Sequence, residues 1–298
     1  MPEISIIILN YGPVDIVVPC LAQLKVHHDS GLAEVIFVDN GSPGFPVEDF
    51  RSSFPWVNLI ANNRNLGFAA GNNLGIRTAR GRYVLLLNPD TRVPEEVLPA
   101  MLQYMESSPG VGAATCRVNL ADGSLDQACH RGFPTPWASF CYFLGLDRIL
   151  PRSRFFGGYH LTYKDLNTTH EIDSPSGCFF LVRRAVLDQV GLLDETFFMY
   201  GEDIDWAMRI KQAGWKVVYH PEVSIIHLKG LSSGIKHSTA GQSAASTSDR
   251  LRAHHAFYEA MRVFYRKHYL RRYPAPVGWA VLTAVTIKEK LSQRRLRV

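Results

Sequence analysis

The five cysteines (Cys20, Cys116, Cys129, Cys141 and Cys178) include no CxxC pair, and their odd number leaves one over from any set of disulfides. Both facts argue against a zinc knuckle and against a stapled secreted scaffold, and reduced thiols in a cytoplasmic compartment are expected. No GxGxxG opens the first helical stretch, so a Rossmann oxidoreductase loses its main support, and no GxxxxGK[ST] loop is present for a nucleotide hydrolase. The opening "MPEISIIILNYG" has an apolar run of only six residues, with no basic leader and no small-residue cleavage site. It reads as a first strand, not as a signal peptide or a spanning helix. There is no internal repeat. What remains is ordinary globular composition, 298 residues with 46% apolar and 20% charged content, enough for a sizeable core.

Charge is unevenly placed. Residues 249 to 298 carry twelve Lys or Arg against three Asp or Glu, leaving residues 1 to 248 at −4 within a net charge of +5. The basic character belongs to the tail, and charge alone does not choose among an acidic partner, an anionic membrane surface and nucleic acid.

The first 116 residues alternate apolar runs with helical stretches: "ISIIIL" (4 to 9), "EVIFVD" (34 to 39), "VNLIA" (57 to 61), "YVLLLN" (83 to 88) and "GVGAATC" (110 to 116). Runs that are apolar at every position belong to strands covered on both faces, which predicts a mainly parallel α/β sheet. Helices are expected over 14 to 28, 67 to 80 and 94 to 107, the last with Pro94 in its first turn and Thr91 as a nearby cap. Residues 117 to 172 read as irregular. "SGCFFLVRRAVLDQVG" then predicts a strand and a helix closed by Gly191, residues 203 to 213 another helix ended by Gly214, and "KVVYH" and "VSIIHL" two short strands. The Gly, Ser and Ala content of 230 to 246 reads as a mobile loop.

Ligands of open α/β sheets bind beyond the carboxyl ends of the strands. Asn10 and Tyr11 end the first strand, Asp39 the second, and Asn88 and Asp90 the fourth. Asp39 is a turn former in "VDNGS", and also an acceptor for a ribose or base N–H. Asp90 is a hard oxygen ligand for Mg²⁺ or Mn²⁺. His227 ends a later strand, where a satisfied core imidazole is the plainer reading; beside a carboxylate it tilts the metal toward Mn²⁺. Gly67, Gly71 and Gly75 leave a side-chain-free stripe for close packing against sheet or ligand. Glu202, Asp203 and Asp205 crowd one helix start, where acids are welcome for electrostatic reasons alone.

Taken in order, "IIILNY", "VDNGS", "NLGFAAGNN", "LLLNPDT", "SGCFFLVRR", "GLLDETFFMYGEDIDW" and "SIIHLKG" resemble a family 2 glycosyltransferase of the GT-A fold, of the non-processive, rhamnosyltransferase-like branch. The resemblance covers roughly residues 3 to 235. It implies an inverting transferase with a nucleotide-diphosphate sugar donor, residues 1 to 116 forming the nucleotide-sugar half and 117 to 235 the acceptor and catalytic half, followed by a loop and basic helical extension over 236 to 298. Asn10, Asp39, Asn65 and Gly67 then fall at the nucleotide. Asp90 and His227 match metal ligands, and Asn88 replaces the first acid of the usual Asp-x-Asp. Gly177 and Cys178 match a loop lining the donor-sugar and acceptor pocket. Asp203 matches the general base, with Glu202 as an acceptor-orienting or supporting group, while helix-start electrostatics is the simpler account of Asp205, with a supporting role left open. One base and one cation suffice for direct displacement, whereas a glycoside hydrolase needs two facing carboxylates.

The QxxRW motif of processive synthases is absent, so one sugar or very few are expected per encounter, best matched by L-rhamnose from dTDP-rhamnose and alternatively by galactofuranose or another hexose from a UDP donor. The acceptor is expected to be a glycan or lipid-linked glycan of cell-surface polysaccharide synthesis. A nucleotidyltransferase lacks its glycine- and lysine-rich loop, and a binding module leaves the acids without a shared purpose. Residues 250 to 272 predict a helix with Phe257, Met261, Phe264 and Tyr265 toward a core. The eleven apolar residues within 273 to 298 are too few to span a bilayer; they suit an anionic membrane surface at the inner face of the cell membrane or, equally, packing on the domain or on a second subunit of a homo-oligomer. No nucleic acid partner is expected.

Overall fold

The computed structural model describes residues 1 to 228 and 247 to 296; the loop expected over 230 to 246 lies outside the described residues. The strands are β1 (Ile4–Asn10), β2 (Ala33–Asp39), β3 (Asn58–Ala61), β4 (Tyr83–Leu87), β5 (Thr91–Arg92), β6 (Val111–Leu120), β7 (His170–Glu171), β8 (Phe179–Arg183) and β9 (Lys216–His227). The helices are α1 (Val18–Asp29), α2 (Val47–Ser53), α3 (Phe68–Thr78), α4 (Val97–Ser107), α5 (Pro136–Phe143), α6 (Leu146–Ile149), α7 (Arg184–Val190), α8 (Glu202–Gln212), α9 (Thr247–His268) and α10 (Ala275–Leu296).

One sheet holds all nine strands, in the order β3-β2-β1-β4-β8-β6-β9-β5, with β7 also on β9. The first four pair in parallel; β8 lies antiparallel between β4 and β6, and β6 and β9 resume parallel pairing. Ile4, Ile6, Ile7 and Ile8 of β1 have no exposed surface, as expected of a central strand with helices on both faces. The glycine stripe of α3 packs on that strand: a Cβ at Gly71 would lie 2.5 Å from Leu9 Cδ1, and one at Gly75 would lie 2.6 Å from Ile7 Cγ2. All five cysteines are buried free thiols.

Several local expectations change. The helix predicted from residue 14 opens as a 3₁₀ turn, Val14–Ile16, and α1 starts only at Val18, with proline in its first turn. Thr91 caps nothing; it lies in β5 opposite His227, its hydroxyl donating to Asn88 O, and α4 starts at Val97. "KVVYH" and "VSIIHL" form the single strand β9, whose register against β6 jumps between the pairs Cys116–His220 and Arg117–Ser224. Pro221 falls in that jump, where a missing N–H costs no ladder bond. Within 117 to 172, β6 continues to Leu120 and α5, α6 and β7 follow. In α9, Phe264 and Tyr265 are buried as expected, with Tyr258 and Ala260, whereas Phe257 is exposed.

Candidate active site

Because β1, β2 and β4 run parallel, their carboxyl ends open on one edge, where Asn10 stands opposite Asp39. The antiparallel β8 starts where β4 ends, so Asn88 N donates to Cys178 O (3.1 Å), and β9 ends there too, His227 opposite Thr91. Topology thus gathers residues up to 139 positions apart.

The Asp39 carboxylate closes a turn: Oδ2 accepts from Gly41 N and Ser42 N at 3.2 and 3.1 Å, while the buried Oδ1 has no hydrogen-bond partner. Burial raises its pKa against those backbone bonds. Asn40, which sequence reasoning passed over, ties the neighbouring loop. Its amide donates to Asn65 Oδ1 (3.0 Å) and Gly67 O (3.1 Å), and its Oδ1 accepts from Leu66 N (3.0 Å). Asn65 Oδ1 also accepts from Gly67 N (2.9 Å), so this side chain shapes the turn. Gly67 is required there by its φ of +87° and because a Cβ would lie 2.4 Å from Phe198 O. Asn10 Nδ2 donates to Gly12 O at 3.2 Å.

At the end of β4, Asp90 is wholly buried and neither carboxylate oxygen has a hydrogen-bond partner. His227 Nε2 lies 3.3 Å from Asp90 Oδ1, close enough for charge attraction but not aligned as a hydrogen bond, and 3.2 Å from Asn88 Nδ2. On its other side His227 Nδ1 donates to Asp126 Oδ2 at 3.0 Å. Burial disfavours the charged ring, yet the groups around it raise its pKa. Among these Cys178 counts least, since burial keeps it a thiol, and the carboxylates carry the effect. A carboxylate on Nδ1 with Nε2 turned to a second carboxylate is the outer-shell pattern of a metal-ligating histidine, and two desolvated oxygens without partners are what a hard cation would satisfy. Asp126 gave no sequence signal beyond the turn "ADGS" before it.

The three acids of α8 separate completely. Tyr200 takes φ +71° and Gly201 φ +83°, a sharp turn that starts the helix at Glu202. Asp203 Oδ2 accepts from Arg131 Nη2 at 2.7 Å, and its Oδ1 from Ile204 N at 2.8 Å. Glu202 is buried with Oε2 unpartnered, and burial together with the charge of Asp203 raises its pKa well above the usual carboxylate range. Asp205 faces away: it accepts from Arg209 Nε (2.8 Å), His268 Nε2 (2.7 Å) and Lys267 Nζ (2.7 Å). It stands in the first turn of α8, where an acid is favoured, and also binds α9 to α8.

Arg131 Nη2 also donates to Pro175 O at 2.7 Å, fastening Asp203 to the loop that delivers Gly177 and Cys178. A Cβ on Gly177 would strike the Phe68 ring at 2.8 Å, and Phe68 N donates to Phe198 O at 2.6 Å. Asp203 thus reaches Asp90 and His227 through this loop rather than by a direct bond.

The chain matches the family model "Glycosyl transferase family 2" over residues 5 to 191. It is 26% identical to N-acetylglucosaminyl-diphospho-decaprenol L-rhamnosyltransferase of Mycobacterium tuberculosis across 98% of this chain and 93% of that protein. Rhamnosyltransferase WbbL of Escherichia coli is also 26% identical, over 75% of this chain and 83% of its own. Among solved structures, mannosyltransferase PcManGT from Pyrobaculum calidifontis, in complex with GDP-Man and Mn²⁺, has a TM-score of 0.56 at 16% identity, covering 99% of this chain and 72% of that one. GalNAc-T7 with UDP, GalNAc and Mn²⁺ gives 0.57 at 15% identity, over 89% and 50%. These likenesses carry the fold, which is GT-A. Borne on that fold, a family match spanning more than half of the chain makes this protein a member of glycosyl transferase family 2, a glycosyltransferase.

Proposed function

We propose that this glycosyltransferase moves L-rhamnose from dTDP-rhamnose to a hydroxyl of a lipid-linked glycan, by an inverting displacement with Asp203 as base, in cell-surface polysaccharide synthesis. The observation that carries the reading is the set of buried carboxylate oxygens without a hydrogen-bond partner at one sheet edge: Asp39 Oδ1 and both oxygens of Asp90. Buried polar atoms normally find partners, so this edge suits a ligand that brings them. Asp39 Oδ1 suits the imide N–H of a pyrimidine base. Asp90 and His227 suit Mn²⁺ or Mg²⁺, the imidazole favouring Mn²⁺. When bound, such a cation would neutralise the diphosphate and ease its departure.

The chain's own residues supply the rest. Asp203, steered by Arg131, accepts the acceptor's hydroxyl proton as its oxygen attacks the anomeric carbon. Glu202, pushed toward its protonated form by burial and the charge of Asp203, supplies a hydrogen bond that orients the acceptor. The names of the relatives above support rhamnose and a polyprenol-diphosphate acceptor. A UDP-hexose or UDP-galactofuranose donor is the second reading, because Asp39 would meet uracil as well as thymine.

The test is nucleoside diphosphate release from a panel of sugar nucleotides, with Mn²⁺ or with EDTA. Release of dTDP from dTDP-rhamnose, dependent on metal and raised by a polyprenol-linked acceptor, is expected; release of UDP alone would replace the rhamnosyl reading with the second one.

A further inference from the structure

Outside the sheet edge, the most unusual surface lies between residues 137 and 155. Of the seventeen large hydrophobic side chains exposed among the described residues, eight fall in these nineteen positions. Phe140 is 50% exposed, Leu144 59%, Ile149 71% and Phe155 61%. Scattered exposed apolar residues need no explanation, but a contiguous cluster does. The cluster is also ordered: Trp137 stacks on Phe140 and lies tilted against Phe155, and its indole Nε1 donates to Phe155 O at 2.8 Å. It follows from the sequence of α5, where Ala138 and Cys141 face inward and Trp137, Phe140, Phe143 and then Leu144 face out.

The charges are one-sided. Arg148, Arg152 and Arg154 are exposed in this stretch, whereas its single acid, Asp147, is buried. Lys288 of α10 adds a fourth cation, its Nζ 3.1 Å from the Phe143 ring centroid. An isologous contact between two copies would set these arginines against themselves. Aromatic rings flanked by basic side chains instead suit the interface of an anionic bilayer, rings among the acyl boundary and guanidinium groups among the phosphates. No helix among the described residues is long and apolar enough to cross a membrane.

We infer that residues 137 to 155 form a membrane seat that docks this protein on an anionic lipid surface. The sequence left 273 to 298 open between a membrane surface and packing on protein; one face of α10 packs on α9, where Glu289 pairs with Arg262 and His255 and Val281 and Leu282 meet the α9 cluster, while Trp279, Ile287 and Leu291 stay exposed. The seat also lies beside the candidate base. Tyr142 packs on Tyr159 with ring centroids 5.1 Å apart, and Tyr159 interacts in turn with Arg131, the partner of Asp203. A bilayer there would bring headgroup-level hydroxyls to the catalytic helix. The inference goes beyond the proposed transfer and does not depend on it.

The test is flotation of the full chain with vesicles of phosphatidylcholine, alone or with about a third phosphatidylglycerol. These hold neither donor nor acceptor, so the result is separate from that of the transferase assay. Binding to the anionic vesicles is expected, falling by about tenfold or more in Phe140→Ser/Phe143→Ser/Leu144→Ser, with circular dichroism unchanged. Should that variant misfold, Arg148→Glu/Arg152→Glu, which alters only exposed side chains, is expected to abolish the preference for anionic vesicles. Wild-type binding by these variants would overturn the inference, as would its loss in Trp279→Ser/Lys290→Glu instead. A wild-type chain that ignores vesicles yet forms a dimer broken by the triple change would make the patch a subunit interface.

Discussion

Arg131 and Asp203, 72 positions apart, form a 2.7 Å ion pair whose two side chains are each only 12% exposed. The same Nη2 group holds Pro175 O, so this arginine fixes the candidate base and the 174 to 178 loop together. Asp203→Asn is expected to keep donor binding and to lose turnover by about a hundred- to ten-thousandfold, measured as kcat with saturating donor. Arg131→Lys should recover only part of what Arg131→Met loses, because an ammonium lacks the planar fork that reaches both partners. Near-normal turnover in Asp203→Asn removes it from the mechanism.

Asp126 holds the Nδ1 side of His227. Asp126→Asn is therefore expected to weaken Mn²⁺ by about ten- to a hundredfold, read by titrating Mn²⁺ in the presence of dTDP, with the melting temperature little changed. Unaltered Mn²⁺ affinity would make Asp126 a support for the 3₁₀ turn Gln127–Cys129, which it caps.

Gly75→Ala sets two effects against each other. The helix gains up to about 1 kcal/mol from alanine. The new methyl meets Ile7 Cγ2 at 2.6 Å on a wholly buried central strand, an overpacking that costs about 1 to 3 kcal/mol. A lowered urea midpoint is expected, and a raised one would show that the sheet yields.

Lys267 bridges Asp194 and Asp205. Burial would raise the Asp194 carboxyl, but hydrogen bonds from Lys267 and Thr196 hold it down at about 2; Asp205 is lowered too, burial being outweighed by His268 and Lys267. Both folded values lie below the ordinary 3.8. Their stabilisation is thus complete above that value and is lost as the pH falls toward 2. Proteolysis of α9 should accelerate in that window before the sheet unfolds, and the acid dependence should be shallower in Lys267→Met.

Much of this site was legible in the sequence because apolar runs reveal strands, and strands in a parallel sheet deliver their last residues to one edge. Asn10, Asp39, Asn88, Asp90 and His227 were found in that way. Arg131 and Asp126 were not, since both lie in a stretch without hydrophobic period and meet Asp203 and His227 across 72 and 101 positions. The link from Asp205 to α9 was hidden for the same reason: His268 and Lys267 come from the far end of the chain. The two short strands that proved to be β9 were divided at a proline, a breaker that an irregular register absorbs.

The anchoring of Asp205 also sets how short a working catalytic unit can be. The family match ends at residue 191 and the motif resemblance near 235, yet the helix bearing Glu202 and Asp203 rests, through an aspartate with no exposed surface, on residues 267 and 268. Shortening the chain before that point would leave Asp205 with Arg209 alone and uncover Phe197 and Met208, which pack with Phe264 and Tyr269. The length of a working unit is therefore set by this docking and not by the limits of family likeness.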